Sequence, residues 1–197
     1  MLDRRPARTR LLIAAIVLLL SLSGSSAVAQ ELQCSPYEGI TCDGWVTDTA
    51  GVIEDDARLE EAVGRVVARY GHEIAVVIVP STGGRSVRDF AVGLGDTWGV
   101  GDPDRNDGVV VLIDLGTRQT WVEHGPGLNE VPRDFSDIAA VGDSFFAGGD
   151  FDAGVLAILG SLEEAFEAFE RGEAPAASPR GERRDRTGDL VVALVLV

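Results

Sequence analysis

Two short runs of the chain, Ile74 to Val79 (IAVVIV) and Gly108 to Asp114 (GVVVLID), are apolar almost without interruption and rich in β-branched residues. A strand with one wet face alternates polar and apolar side chains, whereas a strand covered on both faces does not. The two runs therefore predict strands inside a layered α/β domain. Between them, Ser86 is placed to cap a helix reaching about Trp98, because its hydroxyl can accept from the first unpaired backbone N–H groups. Strand, helix and strand in that order predict a parallel crossover. Leu115-Gly116-Thr117 then turns the chain into Gln119 to His124 (QTWVEH), which pairs as a hairpin with the second run and makes the sheet small and mixed.

Helices flank this unit. Leu59, Ala62, Val63, Val66, Val67 and Tyr70 recur at helical spacing, with Glu54, Asp55 and Asp56 at the start and Gly71 just beyond the end. A last helix over about Asp152 to Arg171 turns Val155, Ile158, Leu159, Leu162, Phe166 and Phe169 inward. The segment from Asp134 to Phe146 is also predicted helical, although Gly142 weakens it.

The ends of the chain speak to location. Arg4, Arg5, Arg8 and Arg10 precede the apolar run Leu11 to Leu20, and Ala27-Val28-Ala29 offers a small-x-small cleavage pattern, so residues 1–29 read as a signal peptide. Residues 30–45 form a lead-in holding Cys34 and Cys42. In an oxidising compartment this even, closely spaced pair reads as a disulfide, with a stabilisation on the order of 2–3 kcal/mol for so short a loop. Residues 46–171 are the domain proper. Residues 172–189, rich in Pro, Gly, Ala and charge, read as a linker. The apolar stretch 190–197 reads as the start of a transmembrane helix, which would tether the domain to the outer side of the cell membrane.

Charge narrows the partners. The whole chain carries −15, and residues 1–29 contribute four Arg and one Asp, so the mature chain stands at −15 − 3 = −18. Such a surface repels nucleic acid and anionic lipid and attracts cations. All seventeen basic residues are Arg. Without Lys there is no phosphate-binding P-loop, no Schiff-base lysine and no Ser-Lys dyad. Only His72 and His124 are present, which excludes a HExxH metalloprotease.

One loop carries candidate chemistry. Asp102, Asp104, Asn106 and Asp107 place side-chain oxygens in a tight turn before the second strand. The hairpin returns Glu123 to the same edge of the sheet, with Asp134 a little further along. These six residues are the expected ligands of Ca2+ or another divalent cation, a hard ion that takes oxygen donors and relieves carboxylate repulsion. The loop is not an EF-hand, since its glycine falls late and a strand rather than a helix follows. His124 reads as a strand-end residue rather than a ligand, and Ser81 to Gly84 as an ordinary loop.

Several of these segments together resemble the TPM domain, a family named for a thylakoid lumen phosphatase, a photosystem II repair protein and a nematode receptor modulator. The resemblance rests on Val46-Thr47-Asp48-Thr49-Ala50-Gly51-Val52-Ile53, the strand Ile74–Pro80, Trp98-Gly99-Val100-Gly101, Asn106-Asp107-Gly108-Val109-Val110-Val111 and Glu123-His124-Gly125-Pro126-Gly127-Leu128, in that order. It implies a three-layer α/β/α sandwich, calcium binding as in some members, and weak acid phosphatase activity as in a few. Asn129 stands where the family commonly has Glu, and the basic residues of the family hairpin are reduced to Arg118. The expected function is a membrane-tethered, extracytoplasmic accessory module serving a membrane complex, with a weak metal-dependent phosphatase as the alternative.

Overall fold

A computed structural model describes residues 34–174. The signal peptide, nearly all of the expected linker and the 190–197 segment lie outside the described residues. Among the described residues no helix is long and apolar enough to cross a membrane.

The chain runs β1 (Val46–Asp48), α1 (Asp56–Tyr70), β2 (Ile74–Val79), α2 (Val87–Trp98), β3 (Val109–Asp114) and β4 (Gln119–His124). A 3-10 turn (Pro126–Leu128), α3 (Phe135–Ala140), α4 (Asp143–Gly148) and α5 (Phe151–Glu170) follow. The sheet order is β1-β2-β3-β4, with the first two pairings parallel and the last antiparallel. Every residue of β2 and β3 is buried, as two-sided coverage requires.

Side chains alternate between the faces and so divide the core in two. Ile74, Val76, Ile78, Val109, Val111 and Ile113 face α1, α3 and α5, where Leu59, Ile138, Ile158, Leu162 and Phe166 are fully enclosed. Ala75, Val77, Val79, Val110 and Leu112 face α2 through Phe90, Ala91, Leu94 and Trp98. The result is a three-layer α/β/α sandwich, with several helices on one face and α2 alone on the other.

Helix ends follow the expected chemistry. Asp55 caps α1 and Gly71 ends it in the left-handed region (φ 76°), while Ser86 caps α2 by accepting from Asp89 N–H. Three features depart from the sequence reading. Val46–Asp48, taken there only as a family motif, is a strand paired in parallel with β2. The Asp134–Phe146 region is two short helices rather than one. It breaks at Gly142, where a side chain would collide with the ring of Phe146.

The third departure is the lead-in. Cys34 and Cys42 form a disulfide with Cα atoms 5.8 Å apart. Tyr37, inside that loop, sets its ring edge-on to Phe90 of α2 at 5.1 Å. The lead-in thus covers part of α2 and belongs to the packed domain. A disulfide is the mark of an oxidising, extracytoplasmic compartment.

Candidate functional site

The start of β3 and the end of β4 lie side by side in an antiparallel pair, so the loops attached to them meet at one edge of the sheet. Gly125 donates its N–H to the Gly108 carbonyl and Gly127 to the Asn106 carbonyl. Contact this close requires glycine. A Cβ at Gly125 would fall on the carbonyl of Asn106, and one at Gly108 on the carbonyl of Val100.

Above this junction a cleft of about 430 Å³ opens between α2 and β4. Its walls are the outer side of α2, the end of β4 and the two loops that meet there. Arg88, Val92 and Asp96 line it from the helix, Glu123 and His124 from β4, and Asn106 and Asn129 from the loops. Glu123 accepts from the indole N–H of Trp121 at 2.7 Å and lies 3.9 Å from the Arg88 guanidinium. His124 stacks on Phe135 with ring centres 4.0 Å apart, and its Nδ1 lies 3.0 Å from the Gly125 carbonyl. Arg85, a neighbour of Arg88 in sequence, is occupied elsewhere by Tyr37 and Glu38.

The six residues expected as cation ligands divide into three groups. Asn106 and Glu123 reach the cleft. Asp134 caps α3, accepting from the N–H and hydroxyl of Ser136. Asp102, Asp104 and Asp107 stay in their loop, but the two outer members of that trio are engaged internally.

Asp102 folds the turn by accepting from the N–H groups of Asp104 and Arg105. Asp107 is buried, only 2% exposed, and its carboxylate has three partners. They are the Arg105 Nε–H at 2.6 Å, His72 Nδ1 at 2.9 Å and the Asp102 N–H at 3.1 Å. Among the described residues no group of three or more His, Cys, Asp or Glu side chains is placed to hold a metal ion. In this loop the positive charge beside the buried carboxylate is Arg105.

Burial raises the pKa of Asp107, but its bonds from Arg105, His72 and the Asp102 N–H outweigh that and hold it below the usual carboxylate range. Asp114 at the far end of β3 behaves alike. Burial is overcome by bonds from the Thr117 hydroxyl, the Gly116 N–H and the Thr82 hydroxyl, so its pKa is also lowered.

The partnership of His72 with Asp107 escapes the sequence reading although a signal for it exists. His72 stands two places before Ile74 and Asp107 two before Val109, and β2 pairs with β3 at Ile74↔Val109. The parallel register alone places them side by side. The role of Arg105 has no such signal, since nothing in its spacing says which carboxylate its fork reaches.

Comparison with known proteins agrees with this architecture. The family model for the TPM domain matches residues 46–165, more than half of the chain. The chain belongs to the TPM-domain family. Among solved structures it is similar to the N-terminal domain of a P. gingivalis protein, with 24% identity and a TM-score of 0.59, covering 67% of this chain and 91% of that one. It is also similar to the N-terminal domain of a Corynebacterium glutamicum protein, at 18% identity and a TM-score of 0.52, covering 66% and 83% respectively. At such identities the likeness is one of fold. No curated protein matches the sequence.

Proposed function

We propose that this TPM domain is an extracytoplasmic accessory module that docks onto a membrane protein complex through the cleft between α2 and β4. The cleft itself carries the reading: it is a concave surface of about 430 Å³ walled by α2, β4 and the two loops that meet beside them. It also mixes an exposed apolar side chain, Val92 at 37%, with Arg88, Asp96, Glu123 and His124, a composition suited to a protein partner. The disulfide and the acidic surface fit work outside the cytoplasm.

Hydrolysis receives less support. Metal-assisted attack on a phosphoester needs a metal-bound water or an activated nucleophile. Both Cys side chains are in the disulfide, His72 is bonded to Asp107, and no carboxylate cluster among the described residues is placed for a metal. The purified mature chain is therefore expected to give no turnover of p-nitrophenyl phosphate with calcium, magnesium or manganese. In intact cells a photoreactive residue at Val92 should cross-link a membrane protein, while one at Arg65, on α1, should not. Metal-dependent turnover lost in Asp104→Ala, or cross-linking of the same protein from both positions, would reject the proposal.

A further inference from the structure

We infer that the Asp102–Asp107 loop is neutralised from within: the Arg105 guanidinium occupies the role a divalent cation would otherwise fill, so the loop folds without metal. The inference is independent of the cleft reading. A carboxylate that is almost wholly buried needs a compensating charge or a full set of hydrogen bonds. Asp107 has both. Arg105 Nε–H meets one carboxylate oxygen, Oδ2, at 2.6 Å, and His72 Nδ1 reaches that same oxygen at 2.9 Å. The other oxygen, Oδ1, accepts from the Asp102 N–H.

The rest of the guanidinium is fixed too. One Nη–H donates to the Gly71 carbonyl at 2.9 Å, at the end of α1, and the other lies 3.5 Å from Asp102 Oδ2. Arg105 thus ties two carboxylates of the loop to the end of a helix. Its planar fork makes several directed bonds at once, which a lysine ammonium on a flexible stem does not reproduce. Asn106, the next residue, sits in the left-handed region (φ 49°), which turns its carbonyl toward the Gly127 N–H and Arg105 back over Asp107. A metal ion at Asp107 would have to displace Arg105 and His72 together. Neither side chain can leave without uncovering a buried charge.

The test is a double-mutant cycle combined with calcium titration of the mature chain. Arg105→Gln is expected to lower Tm by roughly 6 °C, because it strands the Asp107 charge. Asp107→Asn also destabilises, and the double variant should lose several degrees less than the sum of the two single losses, the signature of a direct pair. Millimolar calcium or a chelator should move the wild-type Tm by no more than about 1 °C, since binding to the native state alone would stabilise it by mass action. Calcium binding that survives Asp102→Asn and Asp107→Asn lies outside the loop and agrees with the inference. Additive losses in the cycle, or a calcium-induced rise in Tm abolished by Asp107→Asn, would overturn it.

Discussion

Replacing Gly125 by Ala is expected to destabilise the domain by about 3 kcal/mol, at the upper end for overpacking, because the added methyl meets backbone rather than a side chain. Buried clashes are commonly relieved by a rotamer change in the neighbour. Here the neighbour is the Asn106 carbonyl, which is fixed because it accepts the Gly127 N–H. On the other side Gly125 N–H donates to Gly108, so the residue cannot back away without breaking the last rung of the β3–β4 ladder. The loop carrying Asp102 to Asp107 must move, and Asn106 and His124, which line the cleft, move with it. For a domain of this size the loss corresponds to a fall in Tm of roughly 12 °C. Thermal unfolding followed by circular dichroism measures it, and a fall of less than about 3 °C would show that the two loops are not locked together.

Asp48→Ala should cost a comparable amount, again about 3 kcal/mol, and for a reason opposite to a binding role. Asp48 ends β1, and one carboxylate oxygen accepts from the N–H groups of Ala50 and Gly51. The other accepts from those of Val52 and Ile53, at 2.6 and 2.8 Å. A single side chain therefore folds the whole connection leading from β1 toward α1. Hydrogen bonds to a charged acceptor are stronger than neutral ones, and removing the acceptor leaves four donors to find water in a partly buried turn. Asp48→Asn keeps one acceptor oxygen and is expected to recover about half of the loss. Chemical denaturation of the three proteins, compared at constant m-value, distinguishes the cases. Equal stability of Ala and Asn variants would mean that the carboxylate does not organise the turn.

The same device recurs along the chain and accounts for much of its acidity. Glu60 accepts from the N–H groups of Trp45 and Val46, and Asp152 from those of Glu54 and Asp55. The sequence showed the acids but not their partners. These bonds span up to 98 residues of chain, and no local pattern encodes which loop N–H group a distant carboxylate will meet. What was legible depended on periodicity. The continuous apolar runs of β2 and β3, the capped helices α1 and α2, and the hairpin to β4 followed from spacing and end chemistry. Strand β1 did not, because three residues, one of them Asp48, hold too little pattern to separate a strand from a loop. The same holds for the site. The meeting of the 102–107 and 125–130 loops was readable from topology, whereas the capture of Asp107 by Arg105 and His72 was a matter of side-chain reach.

The central claim is that these carboxylates are satisfied inside the fold, as acceptors and ion-pair partners, and the pH titration of Asp107 and Asp114 by carboxyl carbon NMR tests it most directly. Both folded-state pKa values are lowered from 3.8, so both groups release protons on folding. Their contribution to stability is therefore complete above the unfolded-state value and is lost as pH falls below it toward the folded-state values. The account predicts that both carboxyls remain ionised below the ordinary Asp range, with unfolding setting in as they protonate, and that calcium leaves the Asp107 titration unchanged. Titration of Asp107 at the ordinary value, or a marked shift of its midpoint on adding calcium, would contradict it.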